Sequence, residues 1–224
     1  MKRKIAIAID GPSASGKTTV ARLLAAELGF DWLDTGLLYR AMAWTVLQEK
    51  IDPLDEAAVS RISGEKGVTL RRVEGSFAVE IDGKDVTREL KTPELSRIAS
   101  QISQYRAVRE SLAGIQRETG NEGNVILVGR DIGTQILPDA PVKFFLDASL
   151  ETRGKRRQEE LVRKGFRVTL AETIREMSQR DRQDRERAIA PMEKAPDAIL
   201  IDSTGMSLKE VIMNMREKVG KVTA

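Results

Sequence analysis

Residues 7–21, IAIDGPSASGKTTVA, hold the pattern around which the rest of the chain can be arranged. An apolar run, Ile5 to Ile9, stops at Asp10, and a helical pattern runs from Thr18 to Leu28 with Val20, Leu23, Leu24 and Leu28 at helical spacing. Between them Gly11, Pro12, Ser13, Ala14, Ser15, Gly16, Lys17 and Thr18 fit G-x-x-x-x-G-K-[ST], the phosphate-binding P-loop. Each residue type has a physical task there. Glycines let the backbone turn its N–H groups inward, and the following helix directs its positive end at the same point. The lysine reaches terminal phosphates and the Thr18 hydroxyl faces Mg²⁺, with Thr19 as a further phosphate contact. A strand before the loop and a helix after it separate this pattern from a glycine-serine turn in which Ser15 or Thr18 merely caps a helix. A nucleoside triphosphate site follows, but not its use, because GTPases, motors and small-molecule kinases share the loop.

The loop sits in a strand and helix alternation. Val125 to Gly129, Val142 to Leu146 and Ala198 to Ile201 are further short apolar runs, and Phe30 to Leu33 is a weaker one. Helical patterns between them predict an α/β fold, a doubly wound parallel sheet flanked by helices, with ligands at the carboxyl ends of the strands. From about Gly64 to Leu90 the rhythm changes. Val68 and Leu70, then Phe77, Val79 and Ile81, alternate on either side of EGS as in an antiparallel hairpin, and a helical pair, Pro93 to Gln104 and Arg106 to Glu118, follows. A single domain is expected, with residues 1–62 and 106–224 as the core and 63–105 as an insertion.

Composition narrows the chemistry. With 224 residues the chain can bury one good core and a small lobe. It contains neither cysteine nor histidine, which excludes disulfides, thiolate metal sites and the usual general base. The balance of 37 basic and 34 acidic residues is too even for a nucleic-acid coat, and aromatics at 4% leave few rings for stacking on bases, so no nucleic-acid partner is expected. The opening apolar run is too short for a signal peptide or membrane span, so a soluble cytoplasmic chain is expected, and a monomer, since no long apolar stripe is left over.

A kinase needs cations on several elements to bring a second anion against the γ-phosphate; a GTPase needs a guanine-reading N-K-x-D, which the chain lacks. Arg40 follows DTGLLY after the second strand, Arg109 lies in a helical stretch, and Arg130 directly follows VILVG at a strand end. Any one of them alone is an ordinary surface residue. Arg130 with Asp131 in GRDIG is the most telling, since a charged pair there would otherwise crowd a buried strand. A second basic cluster runs from Arg153 to Arg187, with acids interleaved as in an exposed helix laced by i,i+4 pairs. On a helix, Arg180, Asp184 and Arg187 share one face and Arg182 and Arg185 another, so the two stripes would divide substrate from ATP phosphates. A break at Gly165 suits a hinged flap that excludes water, with an ordinary helical hairpin as the competing reading.

Taken together, these motifs resemble the bacterial cytidylate kinases, a family of nucleoside monophosphate kinases, over essentially the whole chain: AIDGPSASGKTT, LDTGLLYRA, GRDIGT at 129–134, PDAPVKFFLDAS at 138–149, RDRQDRERAIAP at 180–191 and DSTGMS at 202–207. The resemblance implies a monophosphate-binding lobe at 63–105, a short helical lid at 152–168, and phosphorylation of CMP and dCMP by ATP with Mg²⁺. By matching motifs it places Arg40, Arg130 and Thr35 at the acceptor phosphate and Arg180 and Asp184 at the ribose. Ser100, Arg109, Asp131 and Arg187 fall around the cytosine, and Lys17 with Arg153, Arg156 and Arg157 at the transferring phosphoryl. Thr35 stands where many relatives carry serine, and the hydroxyl is kept. No acidic residue in a later strand stands out as a metal partner, so Mg²⁺ is expected to rest on Thr18, water and phosphates. Rival readings are a P-loop kinase for another small anion and an RNA-associated nucleotide-binding protein using the basic 153–187 surface.

Overall fold

The computed structural model describes residues 4–223. Strand β1 (Ala6–Asp10) feeds helix α1 (Lys17–Leu28), followed by β2 (Asp31–Asp34), α2 (Gly36–Gln48) and α3 (Glu56–Glu65). Next come β3 (Val68–Val73), β4 (Ser76–Ile81), the short β5 (Lys84–Asp85), α4 (Pro93–Ile102) and α5 (Arg106–Asn121). The chain ends with β6 (Val125–Val128), a π-helical turn (Ile132–Ile136), β7 (Val142–Asp147), α6 (Leu150–Arg163), α7 (Leu170–Glu186), β8 (Ile199–Asp202) and α8 (Leu208–Thr223).

Five strands form one parallel sheet in the order β2-β6-β1-β7-β8. All five expected runs are strands, each within a residue of the apolar stretch that announced it. In β1, Ile7 and Ile9 point into the core beneath α1 and α8 with Val20, Leu24, Phe144 and Met215, whereas Ala8 joins Leu33, Leu127 and Ile136 on the other face. Both faces are thus apolar, the arrangement that makes a parallel strand a continuous hydrophobic run. The strand order places β1 at the centre, so its loop opens at the sheet's carboxyl edge.

The expected hairpin is β3 and β4, paired from Val68↔Ile81 to Val73↔Ser76 around Glu74 and Gly75, and β5 adds a third strand. A second apolar core joins Val79 and Ile81 to Leu38 and Met42 of α2, Val59 of α3, Ile98 of α4 and Leu112 of α5. The lobe core therefore draws on α2 and α3 too, and residue 63 lies inside α3. The hairpin tip rests on the outer edge of the main sheet, where the Trp32 amide donates to the Gly75 carbonyl at 3.2 Å and Arg72 binds both Asp31 and Glu122. This occupies an otherwise open strand edge.

Helices α6 and α7 form a hairpin that turns at Gly165, where φ is +84°. They pack closely at Gly154, where a Cβ would stand 2.5 Å from Ile174 Cγ1. A capping box of Thr169 and Glu172 starts α7.

Candidate active site

The P-loop takes its shape from contacts that tolerate no substitute. At Gly11, φ is +144° and a Cβ would meet the Leu146 carbonyl oxygen at 2.1 Å, so β7 presses directly on the loop. Gly16, at φ +98°, opens α1, and Ala14 holds a left-handed conformation at φ 57° without being glycine. Lys17 folds back over the loop, donating from Nζ to the Pro12 carbonyl at 2.6 Å and to Ser15 Oγ at 3.4 Å. Burial, then the nearby Arg130, hold the Lys17 ammonium well below the usual lysine range, against the opposing pull of Asp34, Asp10 and Asp181. A bound anion would favour the charged ammonium against both.

In front of the loop lies a cleft of about 900 Å³ between the sheet edge, the β3–β5 lobe and the α6–α7 hairpin. Ser13 through Thr19 line its floor, including the exposed Thr18 and Thr19; Gly11 and Pro12 lie behind it. Arg40 from α2, Arg130 beyond β6, Arg180 from α7 and Arg156 and Arg157 from α6 all reach the cleft. Arg40 contacts Asp34 at 3.2 Å and Arg130 contacts Asp184 at 3.0 Å. The Nε atoms of Arg40 and Arg180 are buried without a hydrogen-bond partner. The crowding registers on Arg180, whose guanidinium is pushed down to about 10 by burial first and then by Arg130, with Arg40 and Arg157 adding and Asp184 opposing. Asp184, though buried, is held below the usual carboxylate range by Arg130, Arg180 and Arg187. Several cations confined with unmet donors define a site for a polyanion.

The far end of the cleft is different. Asp131 accepts from Arg109 on one oxygen and from Arg187 Nη2 at 2.9 Å on the other, and all three are buried. Arg109 lies 5.6 Å from the Tyr39 ring centroid, which holds its plane in place. Arg187 Nε donates to the Ala190 carbonyl at 2.6 Å, fixing the end of α7. Beside them, the Ser100 carbonyl accepts from Gln183 Nε2 at 2.8 Å. Thr35 donates its hydroxyl hydrogen to the Val128 carbonyl at 2.9 Å, which leaves its oxygen lone pairs toward the cleft.

Most residues expected at the site are therefore gathered around one cleft, with departures at Gly11 and Pro12 behind it and at three arginines. Arg153 does not line it: the guanidinium is buried against Asp181, Ser13 and Ala148, so its donors are spent on protein groups instead of a transferring phosphoryl. Arg182 and Arg185 do not line it either; both are exposed, and Arg182 pairs with Glu186 one turn on, as the helix-pairing reading of that stripe had it. Arg156 binds the Ser203 hydroxyl and carbonyl at 3.1 and 2.9 Å, and Arg157 holds Glu160 at 2.8 Å. Sequence reasoning missed Asp34, Tyr39, Gln183 and Asp10. Asp34 had a signal, standing in LDTG at a strand end; Gln183 had none, being an amide in a charged run.

A P-loop on the central strand, a helical hairpin beside it, and a cleft carrying cations from α2, α6, α7 and the end of β6 define the class of P-loop kinases, and within it the nucleoside monophosphate kinases. Solved structures agree on the fold: the chain aligns with a gluconokinase from Sinorhizobium meliloti at TM-score 0.51 and 12% identity, covering 100% of this chain and 95% of that one. An uncharacterized protein from Eubacterium ventriosum aligns at TM-score 0.55 and 17% identity, covering 98% and 99%. The family model for cytidylate kinase matches residues 7–221. The cytidylate kinase of Bacillus pumilus is 43% identical over 99% of this chain and 100% of its own, and that of Geobacter sulfurreducens 44% identical over 97% and 94%. The chain belongs to the cytidylate kinase family.

Among the described residues no helix is long and apolar enough to cross a membrane, and no group of three or more acidic residues gathers to hold a metal ion.

Proposed function

We propose that this chain transfers the γ-phosphoryl of ATP to CMP and dCMP, giving CDP and dCDP, as a single-domain cytoplasmic monomer. In this reading the 63–105 segment, with α2 and α3 against it, forms the monophosphate lobe, and residues 152–168 form the lid. The observation that carries it is the pair of buried, unpartnered guanidinium nitrogens of Arg40 and Arg180, set between the P-loop and the Arg109–Asp131–Arg187 group. A cation cluster bounded on one side by a triphosphate loop and on the other by a planar donor and acceptor set suits a nucleoside monophosphate.

Lys17 and the loop amides of Ser13 to Thr19 hold the donor phosphates. The Thr18 hydroxyl, exposed at the loop, and the phosphates themselves would hold Mg²⁺, which shields their charge. Arg40 and Arg130 take the acceptor phosphate with Thr35 beside it, Arg180 and Asp184 the ribose, and Arg156 and Arg157 approach the transferring group as the hairpin closes. The acceptor is already an ionised oxyanion, so no general base is needed, which suits a chain without histidine. The loose transition state spreads charge over equatorial oxygens, and fixed cations offset the repulsion between two anions.

Cytosine offers acceptors at O2 and N3 and a donor amine at N4. Arg109 and Arg187 suit the acceptors, and Asp131 or Ser100 suits the amine. Uracil would bring a carbonyl to a site shaped for an amine, leaving buried acceptors unmet, and such sites discriminate by up to about 10⁴-fold. The test is ADP release from ATP and Mg²⁺ with CMP, dCMP, UMP, AMP, GMP or shikimate offered singly. Fast turnover with CMP and dCMP and slow turnover with UMP is expected; turnover with none of them would remove the kinase reading.

A further inference from the structure

The α6–α7 hairpin and the phosphate loop meet at Ser13. Asp181 of α7 and Arg153 of α6 are both buried, with Arg153 Nη1 2.5 Å from Asp181 Oδ2. Both also grip Ser13. Its N–H donates to Asp181 Oδ1 at 3.1 Å, and its carbonyl accepts from Arg153 Nη1 at 3.1 Å. The preceding carbonyl, that of Pro12, accepts from Lys17 Nζ. The Pro12–Ser13 peptide is thus clamped at its oxygen by the loop lysine and at its N–H by a carboxylate of α7.

We propose that Asp181 and Arg153 are positioning residues that set the P-loop peptide against which Lys17 is held, and so tie the acceptor-facing helix to the donor site. This rests on the reading that the P-loop takes the phosphoryl donor. Asp181 stands between Arg180 and Asp184 on α7, so the helix that faces the acceptor is fastened to the loop that holds the donor. A lone carboxylate beside an anion-binding loop would weaken it by repulsion, and Arg153 cancels that charge while holding the Ala148 carbonyl at 2.9 Å. A buried ion pair by itself is poor evidence for stability, since apolar replacements often serve as well. The grip on Ser13 gives this pair a task that an apolar pair could not perform. The base of the hairpin then stays with the loop during closure, and movement is confined to the part of the lid beyond Arg153 on α6.

The test compares the apolar double variant Arg153→Met/Asp181→Leu, which loses both grips, with Arg153→Met/Asp181→Asn, whose amide oxygen keeps the Ser13 bond and whose amide nitrogen no longer faces a guanidinium. Binding of ADP with Mg²⁺ by calorimetry is read beside CMP binding and Tm. We expect the apolar double variant to keep a Tm near wild type and lose on the order of 10-fold or more in ADP affinity, with CMP affinity within about 3-fold, and Arg153→Met/Asp181→Asn to recover most of the ADP affinity. Wild-type ADP affinity in the folded apolar double variant, or an equal loss in Arg153→Met/Asp181→Asn, would overturn the proposal. So would equal losses for ADP and CMP, the mark of a merely structural role. Amide exchange in the wild-type protein needs no variant: Ser13 N–H is expected to be protected, and exchange at the free-peptide rate would overturn the proposal even where the apolar double variant does not fold. ADP binding reports the loop alone, so absence of CMP turnover in the wild type would sink the functional reading while leaving this contrast to be judged separately.

Discussion

Arg130 and Arg187 each bind a carboxylate, yet they stand at opposite ends of the cleft and should fail differently. Arg130 contacts Asp184 while the Arg180 and Arg40 nitrogens beside it go unmet, so its charge is directed at the proposed acceptor phosphate and at the transition state. Arg130→Ala is expected to lower kcat by on the order of 10²-fold or more. Arg187 is spent on Asp131 and the Ala190 carbonyl, away from the proposed transfer point. Arg187→Ala should therefore raise KM for CMP by at least about 10-fold with a much smaller fall in kcat. Steady-state kinetics of the two variants separates them, and unchanged turnover for Arg130→Ala would remove that residue from the mechanism. Arginines at strand ends were legible in the sequence because a cation directly after a buried run has few structural reasons to be there. Arg153 misled for the opposite reason: RGKRR shows basicity, but which guanidinium points inward depends on a partner 28 residues on, and Asp181 was hidden in a run of alternating charges.

Strands and helices were easier to foresee than the way they are tied together. Strands buried on both faces are continuous apolar runs, so all five could be placed, and the hairpin showed its alternation. The π-helical turn after β6 and the packing of α3 into the lobe had no periodic signal. One tie between elements has a pH signature. Asp10, at the end of β1, accepts from the Ile132 and Gly133 amides at 2.8 and 2.7 Å and so holds the π-helical turn beside the P-loop. Burial, with Asp131 adding, lifts its carboxyl to about 6 from an ordinary 3.8, although the two amides and Lys17 pull it down. The folded chain then binds this proton more tightly than the unfolded one. Stability from this group is fully present below about pH 4 and is lost as pH rises through 6, a difference of roughly 3 kcal/mol. In urea unfolding from pH 4 to 7, the stability of Asp10→Asn relative to wild type is expected to rise by an amount of that order. A difference independent of pH would show that Asp10 does not titrate there.

At the scale of the molecule, two apolar cores and a helical hairpin surround a cleft whose cations repel one another. Lys17 and Arg180 are both pushed toward their neutral forms, and Arg130 is a leading cause after burial for each. A phosphate bound among these cations would offset their mutual repulsion, so ligand stabilisation should follow the phosphate and then the base. At about 100 times its Kd, a ligand that binds only the folded state adds roughly 2.7 kcal/mol, which for a chain of this size raises Tm by about 5–10 °C. CMP is expected to give a shift of that size at such saturation. At the same concentration UMP should give less, because in the proposed pose a carbonyl replaces the amine near Asp131. Cytidine, which lacks the phosphate, should give almost none. Added salt should reduce the CMP shift, since the cleft's field is screened where it meets solvent. Thermal unfolding of one preparation with the three ligands decides the matter. A cytidine shift equal to that of CMP would mean that the nucleoside pocket alone carries the affinity, and that Arg40 and Arg130 crowd Arg180 for some purpose other than holding the acceptor phosphate.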